Sequence, residues 1–237
     1  MPYYYGFDWT YLVLVLPCVI LSLWASSNVN STFQKYSQQF SIRRLTGAQA
    51  AQRVLSHNGV SGVRIERVSG NLTDHFDPKT NVIRLSDSVY DSTSTAAIGV
   101  ACHEAGHAVQ YAQNYGPIKL RAAIIPVTNI GSKLAMPLIL LGVVLNFMGG
   151  ISTGLIYLGI AAFALSLLFQ VVTLPVEFNA SRRAMRAISD AELLTSEEQR
   201  GARKTLTAAA MTYVAATAVA LAQLLRLLVL FGRRRDD

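Results

Sequence analysis

Four stretches of the chain, residues 9–25, 122–147, 154–174 and 205–230, are apolar over lengths of the order of 20 residues, which is what a helix needs to cross the hydrocarbon core of a bilayer. Lipid offers no partner to backbone N–H and C=O groups, so such segments must satisfy those groups internally, as helices. With 51% hydrophobic and 15% charged residues, the chain is too apolar for an ordinary soluble domain of its size. A membrane protein with a modest aqueous part is expected.

The formal charge of +7 could suggest a nucleic-acid partner. The positive residues instead flank the apolar stretches: Lys35, Arg43, Arg44 and Arg53 follow the first, Lys119 and Arg121 precede the second, and Arg182, Arg183 and Arg186 follow the third. That is the pattern of cytoplasmic loops in membrane proteins. No basic stripe interleaved with aromatics is present, so nucleic acid is not an expected partner. Cys18 and Cys102 cannot make a disulfide framework and give no sign of an oxidising compartment.

No Lys or Arg precedes the first stretch, which therefore reads as an uncleaved anchor with an outward N-terminus and residues 27–120 in the cytoplasm. The second stretch then exits, Gly149-Gly150 turns the chain, and the third returns. The fourth fits less simply. It contains Arg226, is followed by Arg233-Arg234-Arg235, and is rich in Ala and Thr over residues 205–222. Both a full crossing and a helix packed against the catalytic site, with only its leucine-rich end in lipid, are compatible with it.

The longest polar region lies between the first two stretches. Thr46 is an N-cap for a short helix that stops near His57-Asn58-Gly59. Residues 60–68 alternate as one strand, and Asp77-Pro78 with Asn81 supplies a turn between Phe76 and residues 82–85, which predicts a hairpin. Residues 92–95 offer N-caps for a helix running from Ala96 to about Gln113.

That helix carries His103-Glu104-Ala105-Gly106-His107. Histidines at i and i+4 share a face, so two imidazole nitrogens can reach one Zn²⁺ at about 2.0–2.1 Å, with Glu104 at the edge of that face as general base. Such a set suits peptide hydrolysis by metal-activated water. Cys102 is one position from His103, about 100° round the helix, and points away. Catalytic zinc usually takes a third protein ligand. Glu177 stands just beyond the third stretch, where Pro175 suits a kink or the first turn of a new helix. An ion pair of Glu177 with Arg182 or Arg183 is the structural alternative, and His75, Asp74, Asp77, Asp87 and Asp91 are other possible ligands.

Asp74-His-Phe-Asp-Pro78, Val82-Ile-Arg-Leu-Ser86, the run from Ala97 through the histidine motif to Gln110, the run from Leu168 through Leu174-Pro-Val-Glu177 to Arg183, and Gly201-Ala-Arg-Lys204 together resemble the YugP-like neutral zinc metallopeptidases. These are bacterial membrane proteins distantly similar to HtpX-type peptidases. The resemblance implies His103, His107 and Glu177 as zinc ligands and Glu104 as catalytic carboxylate. Asp is expected where this chain has Asn179, which would accept a hydrogen bond but raise a histidine's basicity less. Ser181 stands at the fourth place after Glu177, where HtpX relatives carry Asp.

The expectation is therefore a mainly α membrane protein with a small zincin-like α+β catalytic part, the active-site helix plus a short hairpin. Its parts would be an N-terminal anchor (1–26), a catalytic region (27–120), two transmembrane helices (121–175), and a third-ligand helix with a C-terminal hydrophobic helix (176–237). The expected function is a zinc-dependent endopeptidase in the bacterial inner membrane, acting on peptides or membrane proteins with its site on the cytoplasmic side. Residues 79–86 are a candidate edge for pairing with extended substrate, with an internal strand of a small sheet as the alternative. His75, Tyr213 and the Arg182-Arg183 pair are candidate oxyanion stabilisers. Alternatives are an intramembrane-cleaving protease and a non-catalytic zinc-binding scaffold. A transporter is least compatible, since its spans should carry paired polar residues at mid-depth. Substrate identity and oligomeric state are not legible.

Overall fold

The computed structural model describes residues 8–148 and 153–232. After a π-wound turn at Tyr11–Val15, the elements in chain order are α1 (Leu16–Ser37), α2 (Gly47–His57), β1 (Arg64–Val68), β2 (His75–Asp77), β3 (Val82–Ser86), α3 (Thr95–Ala112), α4 (Gly116–Phe147), α5 (Thr153–Asp190) and α6 (Glu198–Gly232). The fold is mainly helical with one three-stranded sheet. Four of its helices, Tyr11–Ser37, α4, α5 and α6, are long and apolar enough to cross a membrane.

Two compact units divide the chain. One takes the described residues of 1–24, 120–173 and 213–237, the other residues 25–119 and 174–212. In the first unit the helices meet through small residues, as helices in lipid do when their backbones approach closely. A Cβ added at Gly159 would lie 2.8 Å from the Ala135 carbonyl oxygen, and one at Gly142 would lie 2.7 Å from Ile156 Cγ1. Ile139, Ile156, Ile160 and Leu227 form the buried cluster, while Leu140, Val144, Leu158 and Leu228 face outward, as a lipid-facing surface requires. Arg226 donates through Nε to Asp8 Oδ2 at 2.9 Å, makes a second contact through Nη2, and lies over the Tyr11 ring. The Gly149-Gly150 turn and Arg233-Arg234-Arg235 lie outside the described residues.

The second unit holds the polar elements. Thr46 and Gln49 form a reciprocal capping box on α2, and Asn58 with Gly59 at φ +67° ends it. Ser94 caps α3 by accepting from the Ala97 amide. Asn81 takes φ 54° in the turn between β2 and β3, a conformation Asn tolerates better than most residues. The hairpin forms, with Phe76 opposite Ile83, and β1 joins the other side of β3 in parallel. Strand order is thus β1-β3-β2, which makes β3 internal and decides between the two readings of residues 79–86 against a free edge. Val82, Ile83 and Leu85 are fully buried, because a central strand covered by helices leaves neither face to water.

α5 runs unbroken through Pro175, so no new helix begins there. Proline removes one backbone donor and crowds the preceding turn, yet long membrane helices tolerate it where neighbours re-satisfy the backbone. Likewise α6 is one helix across the whole of its Ala/Thr-rich and leucine-rich parts.

Candidate metal centre

α3 crosses the second unit at its core, and two glycines let other backbones come against it. A Cβ at Gly99 would sit 3.2 Å from Ala202 Cα on α6, and a Cβ at Gly106 only 2.7 Å from the Ala180 carbonyl oxygen on α5. Gly106 lies within the histidine motif, so the close α3–α5 approach occurs where the third ligand must come in.

It does come in. Glu177 Oε2 lies 3.3 Å from His103 Nε2 and 3.5 Å from His107 Nε2, and one ligating atom from each of the three residues falls within 4.8 Å of the others. The two rings meet edge to face with centroids 4.7 Å apart. Glu177 and His107 are buried and His103 is partly open, with 15% of its side chain exposed. Glu177 therefore faces the histidines, while Arg183, one of the arginines of the alternative ion pair, donates to Asn179 and Gln113.

Each ring is held from behind. Ser181 Oγ lies 3.1 Å from His103 Nδ1, and Gln110 Oε1 lies 3.0 Å from His107 Nδ1. With Nδ1–H donating to these oxygens, both Nε2 lone pairs point to the space shared with Glu177. The donor set fits zinc. Bonds of about 2.0–2.1 Å in a tetrahedron separate neighbouring ligand atoms by about 3.3–3.4 Å, close to the 3.3 and 3.5 Å between Glu177 and the two histidines. The electrostatics agree. Burial alone would lower the His107 pKa, but the Glu177 and Glu104 carboxylates and Gln110 outweigh it and raise the value, as in a pocket prepared for a cation.

Glu104 is 8% exposed and accepts no hydrogen bond from any described residue. Asp74 lies near enough to feel its charge. Partial burial pushes the Asp74 carboxyl above its usual range, against hydrogen bonds from the Ser86 amide (2.7 Å) and Ser86 Oγ, and Glu104 adds to the rise. Cys102 is fully buried in the core and its thiol is driven upward by that burial, so it stays protonated and takes no part in the site.

The other candidates are placed elsewhere. Asp77 holds the hairpin turn through the Lys79 amide, Thr80 and Arg84. Arg67 pairs with Asp87 and Asp91. His75 is exposed on β2 with Nδ1 against the Thr73 carbonyl. Arg182, Arg183 and Arg186 line a cavity of about 350 Å³ with His57 and Gln113, on the helix face turned away from Glu177. Asn179 orients no ligand directly, since its Oδ1 accepts from Gln110 Nε2 (3.0 Å) and Arg183 Nε (2.7 Å). Sequence reasoning missed Gln110 and Ser181 as histidine partners. Gln110 follows His107 by three positions, which puts the two on one face, and that spacing was the available signal.

The chain matches the family described as "Putative neutral zinc metallopeptidase" over residues 11–232. It is 45% identical over 227 residues to the "Putative membrane protease YugP" of Bacillus subtilis (strain 168), covering 96% of this chain and 99% of that protein. No solved structure matches it.

Proposed function

Because the chain belongs to the neutral zinc metallopeptidase family, we propose that it is a membrane-bound zinc endopeptidase that hydrolyses peptide bonds at the membrane–cytoplasm boundary. What carries the assignment is the convergence of His103, His107 and Glu177, with Glu177 Oε2 3.3 and 3.5 Å from the two Nε2 atoms and, on the residue after His103, a carboxylate that accepts no hydrogen bond from any described residue. His103, His107 and Glu177 would hold the metal and leave one position open, which distinguishes a catalytic from a structural site. A zinc ion held there would supply the Lewis acidity that activates water and polarises a scissile carbonyl.

The chain's own residues supply the rest. Glu104 takes the proton of the attacking water and passes it to the leaving amine. Ser181 and Gln110 keep the histidine rings from turning. Since β3 is internal, an extended substrate would pair with β2, the sheet edge on the α3 side, where Phe76 packs edge-on against Tyr111 at 5.6 Å. Peptides or membrane-protein segments are the substrates such an edge accepts, because main-chain pairing needs an extended strand and little sequence.

Two observations support the boundary position. Glu177 follows the end of the apolar run at Leu174 by three residues, about 4.5 Å along the helix. The flanking Lys35, Arg43, Arg44, Arg53, Lys119 and Arg182 all belong to the unit that contains the site, which favours the cytoplasmic face.

Glu104→Gln tests the catalytic assignment. Zinc content should stay at the wild-type level while turnover of an unstructured peptide falls by roughly 10²–10⁴-fold. Unchanged turnover would turn the assignment toward a non-catalytic zinc scaffold.

A further inference from the structure

Gln110 is fully buried on α3, one turn beyond His107. Its single amide group makes three contacts. Oε1 lies 3.0 Å from His107 Nδ1, and Nε2 donates to the Val176 carbonyl at 2.9 Å and to Asn179 Oδ1 at 3.0 Å. Val176 immediately precedes Glu177, so one side chain touches a ligand ring on α3 and the backbone that carries a ligand on α5.

The direction of these bonds is forced. Arg183 is four residues beyond Asn179 on α5 and can only donate, so its Nε fixes Asn179 with the oxygen turned toward it. That same oxygen faces Gln110, as does the Val176 carbonyl, which can only accept. Gln110 must therefore present its NH₂ to α5 and its oxygen to His107. The oxygen can only accept, so Nδ1 of His107 must carry a proton, which leaves Nε2 as the ring nitrogen available to a metal. Ser181 cannot do the same for His103, because a hydroxyl donates or accepts as required.

We propose that Gln110 is the positioning residue of the centre: it fixes the His107 tautomer and at the same time registers the backbone at Val176, so that ligands from α3 and α5 meet at the metal. This rests on the ligand assignment above. Other residues of similar size fail on identifiable grounds. Glutamate would set acceptors against the Val176 and Asn179 oxygens. A thioether or alkyl chain would leave His107 Nδ1–H without its acceptor in a buried site, where the loss of a hydrogen bond is costly, and Asn179 Oδ1 with Arg183 alone.

The test uses the full-length chain in detergent, with zinc affinity measured by chelator competition and ligand geometry by the visible absorption of the cobalt-substituted protein. Gln110→Met should weaken zinc binding roughly 10- to 100-fold and shift the cobalt bands. Ser181→Ala, which frees only His103, should do less. Wild-type zinc affinity and cobalt bands in a folded Gln110→Met variant would overturn the proposal, since a residue needed only for packing would lower the stability of the metal-free protein without moving either readout. If Gln110→Met does not fold, Asn179→Ala decides: it removes one anchor of the same amide, and an unaltered zinc affinity and spectrum would be equally fatal. His103→Ala separates this from the ligand assignment. If that variant keeps zinc, the assignment itself fails; if it loses zinc while Gln110→Met does not, only the role of Gln110 fails.

Discussion

At the scale of single residues, the side chains that would touch a metal were legible and those that steer them were not. His103, Glu104 and His107 are announced by helical spacing alone, because one turn puts i and i+4 on the same face. Glu177 was a candidate from its place just beyond the third apolar stretch, and the family resemblance favoured it over an ion pair with Arg182 or Arg183, since nothing local says that an acidic residue 70 positions away returns to that face. Gln110 and Ser181 were given no role, and Asn179 was expected to bond a histidine where it bonds Gln110 and Arg183 instead, because a second layer of hydrogen bonds depends on how α3 and α5 cross. Asp77 gives a residue-scale prediction outside the centre. Hydrogen bonds from Thr80, the Lys79 amide and Arg84 hold its carboxyl down to about 2, below the usual aspartate value of about 3.9. A depressed folded-state value contributes stability that is present above about pH 3.9 and is lost as pH falls towards 2. The metal-free protein should therefore lose thermal stability across that interval, and Asp77→Asn should lose less over the same range. Identical acid limbs in the two proteins would show that this turn does not couple to folding.

At the scale of elements, the apolar runs located four helices but not their lengths. An apolar run ends where lipid ends, whereas α5 continues about 24 Å beyond Leu174 to Asp190, and that extension is stabilised by packing in the second unit. Pro175 was the misleading signal, because it breaks exposed helices more readily than membrane-embedded ones. The hairpin was read correctly from Asp77-Pro78 and Asn81, while the parallel pairing of β1 with β3 was not, since long-range strand order leaves no local mark. Gly106 carries the element-scale prediction. A methyl group at this position would lie 2.7 Å from the Ala180 oxygen, so Gly106→Ala must push α3 and α5 apart. It should cost roughly 1–3 kcal/mol, as overpacking generally does, read as a lower unfolding temperature. A wild-type melting curve would mean that the two helices separate freely.

At the scale of the whole molecule, the puzzle of an arginine in the last apolar run has a local answer. Arg226 is paired with Asp8 at the entry to the first span and stacked on Tyr11, so its charge is neutralised at that level. The part of α6 that belongs to the first unit, residues 213–232, is about 30 Å long, which matches the roughly 30 Å of hydrocarbon it would cross. Both chain ends should consequently lie on one side of the membrane. Epitopes placed at the two termini should be reached by antibody from the same face, and one placed near Asn114 from the other; termini on opposite faces would contradict a crossing by α6. The central claim is that three side chains from two distant segments bind one zinc ion, and metal analysis of the purified chain tests it most directly. The wild type should carry close to one zinc per chain, and His103→Ala and Glu177→Ala should each lose it. Zinc retained near one per chain after Glu177→Ala would contradict the account.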